Sequence, residues 1–120
     1  MHERIQWTPD EAKLVDAMRV RCLAFPEAVE VEQFGHPWFK AGKRPFCIAG
    51  RDEHLTFSFS TPKADQDTLC NMGLRPTPYM HQHGWVTLDV AEPDWDLMDD
   101  LLDSAYRNVA IKRMLAALDG

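Results

Sequence analysis

The chain has 120 residues, 45% hydrophobic and 27% charged, with a net charge of −6. That length suits one domain able to bury a core, and the balance is that of an ordinary globular protein. The figures exclude a bilayer span, because no apolar run nears the ~18 residues one needs, and the negative charge weighs against avid nonspecific nucleic-acid binding.

The first residues, MHERIQWTPDEAK, lack the apolar stretch of a secretory leader. We therefore expect a single domain over residues 1–120, in the cytoplasm, with no membrane partner. Three widely spaced cysteines, Cys22, Cys47 and Cys70, argue for reduced, small buried side chains over a disulfide framework. The charge is uneven. From His36 to Leu88, six basic residues face four acidic ones, which leaves the middle at +2 and the flanks at −8.

Thr8-Pro9-Asp10-Glu11 has the chemistry of a helix start: a capping hydroxyl, proline at the first helical position and a glutamate that can reach back. Leu14, Val15, Met18 and Cys22 repeat at helical spacing, and Pro26 stops the helix near Ala24. Ala28 to Phe34 alternates as a half-buried strand, with Val29 and Val31 on one side. Gly35-His36-Pro37 is expected to break it. Trp38 to Lys40 then resumes an extended run, Ala41-Gly42-Lys43 turns, and Arg44 to Ala49 returns with Phe46 and Ile48 on a shared face. Gly50 to Glu53 forms the next turn.

His54 to Ser60 gives the cleanest alternation in the chain. Leu55, Phe57 and Phe59 point inward, while Thr56, Ser58 and Ser60 line an outer, hydroxyl-bearing face. Thr61 is placed to cap a helix from Pro62 to about Met72, with Leu69 and Met72 as its apolar contacts, and Gly73 ends it. Pro76 and Pro78 stiffen the following segment, which presents Arg75, Tyr79, His81, His83 and Trp85. From Trp85 to Val90 a strand turns Val86, Leu88 and Val90 inward and Trp85, Thr87 and Asp89 outward. Pro93 to Leu118 is helical, as two helices or as one bent near Ser104. The fold class that follows is α+β: a single antiparallel β-sheet with helices packed on one face, in the order α-β-β-β-β-α-β-α(α).

Two groups of residues carry the functional expectations. The first is Arg75, Tyr79, His81, His83 and Trp85, in which the arginine and a histidine would grip a phosphate or carboxylate while the aromatics stack on a ring. The alternative is that Arg75 pairs with Glu30, Glu32 or an aspartate of the last helix. The second group is a basic hairpin, Trp38, Lys40, Lys43 and Arg44, which suits phosphate contact, although an ordinary solvated turn is the simpler reading. His81-x-His83 would place two imidazoles on one side of an extended chain, but no further ligand completes a metal set. Cofactor motifs are missing, as are GxSxG, Walker and HExxH patterns. Cys47 beside His54 is the one nucleophile pairing, and a buried thiol is the simpler reading.

Several segments together resemble the MmcQ/YjbR-like family: Cys22-Leu23-Ala24-Phe25-Pro26-Glu27, Phe34-Gly35-His36-Pro37-Trp38-Phe39-Lys40, Gly73-Leu74-Arg75-Pro76-Thr77-Pro78-Tyr79-Met80, Trp85-Val86 and Ser104-Ala105-Tyr106. The resemblance implies a frataxin-like (CyaY-like) α/β sandwich and carries the family's label of DNA binding. It implies no catalytic set and no cofactor. Three expectations follow: weak DNA binding through the basic hairpin and the Gly73–Trp85 segment, a small anionic metabolite at Arg75, or a protein-interaction surface anchored by Trp38 and Trp85.

Overall fold

The computed structural model describes residues 4–89 and 93–120. Helix α1 (Pro9–Leu23) leads into strands β1 (Ala28–Gln33), β2 (His36–Ala41), β3 (Arg44–Arg51) and β4 (Leu55–Phe59). A short helix α2 (Gln66–Asn71), strands β5 (Arg75–Pro76) and β6 (Val86–Asp89), and helices α3 (Trp95–Val109) and α4 (Lys112–Asp119) complete the chain. The six strands form one antiparallel sheet in the order β1-β2-β3-β4-β6-β5. The α+β architecture is the one expected. It gains one strand, because Arg75 and Pro76 pair with Thr87 and Val86 at the sheet edge.

The start of α1 realises the full capping box. Thr8 Oγ1 accepts from the Glu11 amide, and Glu11 accepts from the Thr8 amide at 3.0 Å. The same carboxylate accepts from Arg51 at the end of β3 (2.9 Å) and from the Leu55 amide opening β4 (2.9 Å). Glu11 thus ties the helix N-terminus to the β3–β4 turn while its side chain is only 12% exposed. Burial acts to raise its pKa, but the Thr8 amide, Arg51 and the Leu55 amide outweigh that and hold it below the ordinary 4.5. A carboxylate depressed in the folded state contributes stability above its unfolded pKa and loses it as pH falls through the folded value. Glu11→Gln should therefore cost about 1–3 kcal/mol at pH 7. Urea unfolding at pH 7 and pH 3 checks this: the gap from wild type should shrink at the lower pH, and an unchanged gap would mean the charge contributes nothing.

Helices α1 and α3 cover one face of the sheet. Val15, Met18 and Cys22 from α1 and Met98, Leu101, Leu102, Ala105, Tyr106 and Val109 from α3 join Phe39, Phe46, Cys47, Leu55, Phe57, Phe59 and Val86 in a single core cluster. Tyr106, fully buried, stacks on Phe25 at 4.6 Å, meets Phe46 edge-on at 5.5 Å and donates to the Pro26 carbonyl at 2.6 Å.

Several local expectations change. The first hairpin turns on Phe34 and Gly35, both at positive φ (53° and 85°), so His36 and Pro37 belong to β2 and do not interrupt it. Paired positive φ values match the twist of a two-residue hairpin. A register shift opposite Phe39/Lys40 leaves Phe46 without a direct partner. Phe46 and Cys47 therefore both enter the core cluster, while Ile48 lies outside it in line with Ser58; Phe46 and Ile48 do not share a face. On β1 the expected inward side is reversed as well: Val29 is 44% exposed, and Glu30 is held by Arg19 of α1 at 2.6 Å.

Further on, Thr61 does not cap a helix; its hydroxyl donates to the Gly84 carbonyl. Met72 is 61% exposed and lies outside the core cluster. Helix α3 runs through Ser104 because Ala105 and Tyr106 are buried in its stripe, and the break falls at extended Ala110 instead. Lys112 and Arg113 thereby open α4, at the dipole end that disfavours cations. Arg113 is offset by Glu27 at 2.8 Å. The expectation that Val90 points inward falls outside the described residues.

Candidate functional site

The two groups of candidate residues are brought together in part. Lys43 and Arg44, at the β2–β3 turn, meet His83 and Trp85 across a cleft of about 280 Å³ that also takes in Ser60 and Asn108, walled by Pro45 and Val109. The β2–β3 loop is Gly42–Lys43, a two-residue turn, so Lys43 and Arg44 project from a short, fixed hairpin. Both are exposed, and among the described residues neither forms an ion pair with a carboxylate. Arg44 instead directs Nη1 to the Val109 carbonyl at 3.4 Å, at the negative end of α3.

The opposite wall is set by a latch. Thr61 Oγ1 donates to the Gly84 carbonyl, and Gln66 Nε2 donates both to the His81 carbonyl (2.8 Å) and to the Trp85 carbonyl (3.1 Å). Lys63 Nζ adds a third donor to this segment, to the His81 carbonyl at 3.1 Å. Three neutral or charged donors from the β4–α2 connection thus hold His81–His83 as a tight 3-10 turn, not as the extended run expected of His81-x-His83. Asn108 Nδ2 donates to Ser60 Oγ at 2.9 Å, which closes the α3 side of the cleft.

Arg75 sits elsewhere. Its guanidinium makes a bidentate pair with Asp89 (3.1 and 3.0 Å) and a third bond to Asp52 at 3.0 Å. The Asp89 bonds raise the Arg75 pKa and hold the Asp89 carboxyl below its ordinary range. An internal ion pair was one alternative for Arg75, but the partners are a neighbouring strand and a turn, not Glu30, Glu32 or the last helix. Asp52, His54 and Asp89 bring ligand-type atoms within 4.8 Å of one another, and the positive charge held by both carboxylates is the Arg75 guanidinium itself.

The hydroxyl-lined face is also less open than its alternation suggested. Ser58 and Thr77 each share a 2.8 Å hydrogen bond with Thr87 Oγ1, and Thr56, Ser58, Thr77 and Thr87 are all buried. The hydroxyls of Ser58, Thr77 and Thr87 satisfy one another where they line, with Thr56, Arg75 and Pro78, a small cleft of about 160 Å³.

The aromatics divide. Trp85, expected on an outer face, is only 5% exposed, so it forms the floor of the basic cleft and does not project as an anchor. Trp38 is half-buried beside the rings of Phe34 (5.9 Å) and His36 (6.0 Å). Its Nε1 is buried with no hydrogen-bond partner among the described residues. Tyr79 is 92% exposed and held at φ 65°. A bulky side chain in the left-handed region is uncommon, and here it pushes a ring into solvent. Lys40 is half-buried on β2 and does not line the cleft. Cys47 is fully buried, whereas His54 is exposed and reaches Asp89 at 3.4 Å. Asn108 was not among the residues singled out in the sequence, and Ser60 was placed there only on the hydroxyl-lined face, because only the packing of α3 against the end of β4 joins them.

A family model described as YjbR matches residues 23–108, which include the hairpin, the latch and the lining of the cleft up to Asn108. The chain belongs to the YjbR family. It is similar to the crystal structure of Deinococcus radiodurans protein DR2400, family-model domain DUF419, with 21% identity over 88% of this chain and 87% of that one, and a TM-score of 0.69. At that identity the likeness is one of fold. Comparison with curated proteins finds no match. Among the described residues of this YjbR domain, no helix is long and apolar enough to cross a membrane.

Proposed function

We propose that this YjbR domain is a non-catalytic binding module of the cytoplasm whose ligand is nucleic acid. It is held weakly at the cleft between the basic hairpin and the Gly73–Trp85 segment. The observation that carries the reading is the pair of uncompensated cations. Lys43 and Arg44 share a cleft with His83 and have no carboxylate in its lining, whereas Arg75 is fully engaged by Asp89 and Asp52. Phosphate contact requires charge that is not already spent within the protein. The ring of Tyr79, held in solvent four residues before His83, supplies a surface on which a base can stack.

With about two phosphates neutralised, the affinity for a single strand should fall with salt at a slope near −1.4 in log K against log salt. Lys43→Ala/Arg44→Ala should weaken binding and flatten that slope towards zero, with the melting temperature unchanged because both side chains are exposed. Fluorescence anisotropy with a short oligonucleotide at 25 and 200 mM salt is the test. Absence of any salt-sensitive binding at 25 mM would remove the reading.

A small anion in the same cleft is the second reading, favoured by the cleft's walls. Protein interaction through Trp38 and Trp85 receives no support from the burial of Trp85.

A further inference from the structure

The charge and hydrogen-bonding groups of the cleft bear on which phosphates it can hold. We infer that it takes the terminal phosphomonoester of a nucleic-acid end or a mononucleotide, in preference to the internal phosphodiesters of a running strand; this rests on the cleft being the binding site proposed above.

Charge supports the inference first. A phosphomonoester carries about −1.5 to −2 at pH 7 and offers three strong acceptor oxygens, as a phosphoryl group on a side chain does. Lys43 and Arg44 supply two positive charges with no carboxylate in the lining. An internal diester carries one negative charge and leaves one of the two cations unmatched. Beyond the cleft there is little to hold a polyanion, since setting those two cations apart leaves the rest of the chain at −8. Each added phosphate of a long strand therefore passes over a surface that adds no net attraction.

The hydrogen-bonding groups agree. Ser60 is only 4% exposed, and its oxygen already accepts from Asn108, so its own proton is left to donate into the cleft. Asn108 retains its second N–H in the same way. Arg44 is aimed from one side by the Val109 carbonyl, and the turn that carries His83 is held on the other by the Gln66 and Lys63 bonds to the His81 carbonyl. Donors thus converge from the hairpin, Ser60 just after β4, α3 and the His81–His83 turn. The buried indole of Trp85 lies beneath and Pro45 and Val109 stand at the sides. A volume of about 280 Å³ has room for a phosphate and the sugar bearing it.

The experiment is calorimetric titration of the full chain at low salt with unlabelled hexanucleotides ending in a 5′-phosphate, in a 3′-phosphate, or in hydroxyls at both ends. A 5′-phosphorylated dodecamer and adenosine 5′-monophosphate complete the set. At least one phosphorylated hexamer should bind about tenfold or more tighter than the hydroxyl-ended one. The dodecamer should gain nothing over its hexamer, and Lys43→Ala/Arg44→Ala should erase the preference. Adenosine monophosphate binding as tightly as the preferred hexamer identifies a free nucleotide as a sufficient source; much weaker binding identifies a strand end, and either supports the inference. Equal affinity for phosphorylated and hydroxyl-ended hexamers, growing with length, would overturn the inference while leaving nucleic-acid binding intact. No heat with any oligonucleotide or with the mononucleotide would overturn both.

Discussion

Gly84→Ala should lower the melting temperature by roughly 10 °C or more and abolish binding at the basic cleft. Gly84 sits at φ 90°, and a Cβ built there would lie 2.2 Å from the Thr61 carbonyl oxygen. The left-handed backbone alone costs a residue with a side chain about 1–2 kcal/mol. The larger part is the contact, because the obstructing atom is backbone and cannot rotate away. Relief requires the His81–Trp85 segment to move off the β4–α2 connection, which breaks the Thr61 hydroxyl bond to Gly84 and strains both Gln66 bonds. For a domain of this size about 3 kcal/mol corresponds to a shift on the order of 10 °C. Gly73→Ala is the control: φ is 107° but nothing lies within 4 Å of the added carbon, so only the backbone part should appear. Thermal unfolding of the two variants separates the contributions, and equal shifts would mean the close approach at Gly84 is not sensed.

Tyr106→Ala should have the largest effect on stability of any single truncation in the core. The ring is fully buried between Phe25 and Phe46, and its hydroxyl satisfies the Pro26 carbonyl, the point at which the chain leaves α1 for the sheet. Removing a buried aromatic costs about 3–5 kcal/mol through lost burial and the cavity left behind. That is a large share of the 5–15 kcal/mol typical of a domain. Tyr106→Phe keeps the ring and removes only the hydrogen bond, for about 1–2 kcal/mol. Urea denaturation of both variants should show the alanine form at least twice as destabilised. Comparable losses would place the energy in the hydroxyl and not in the packing.

The separation between what was readable and what was not follows the range of the interactions involved. Thr8, Pro9 and Glu11 mark the start of α1 because a capping box is closed within four residues. The period of two from Leu55 to Phe59 marks β4 because alternation is a property of the strand itself. Helix α3, expected from Pro93, starts instead at Trp95, with Asp94 as its cap accepting from the amides of Asp96 and Leu97. The faces of β1 and β3 were harder. Edge strand β1 turns Glu30 towards Arg19 of α1, and the irregular register at Phe39/Lys40 brings Phe46 and Cys47 into the core together. Neither event has a local cause that the strand's own pattern could announce.

For the candidate site the division is sharper. The residue types were legible: a proline-stiffened segment rich in aromatics and imidazoles, and a hairpin with two adjacent cations. Their pairing was not. Arg75 looked like the centre of the first group, yet β6 places Asp89 and the β3–β4 turn places Asp52 against it, and three charge-assisted bonds consume its charge. Trp85 looked exposed by alternation, yet it is buried as the floor of the cleft.

Taken alone, the order of residues determined the Thr8 cap, the Gly42–Lys43 turn, the α+β class and the family, since each depends on contacts or motifs a few positions long. Tertiary structure alone decided which cations remain uncompensated. That outcome depends on carboxylates brought within about 3 Å from 14 and 23 residues away, and on a serine and an asparagine joined across 48. A guanidinium's availability is set by its neighbours in space, which spacing along the chain does not encode.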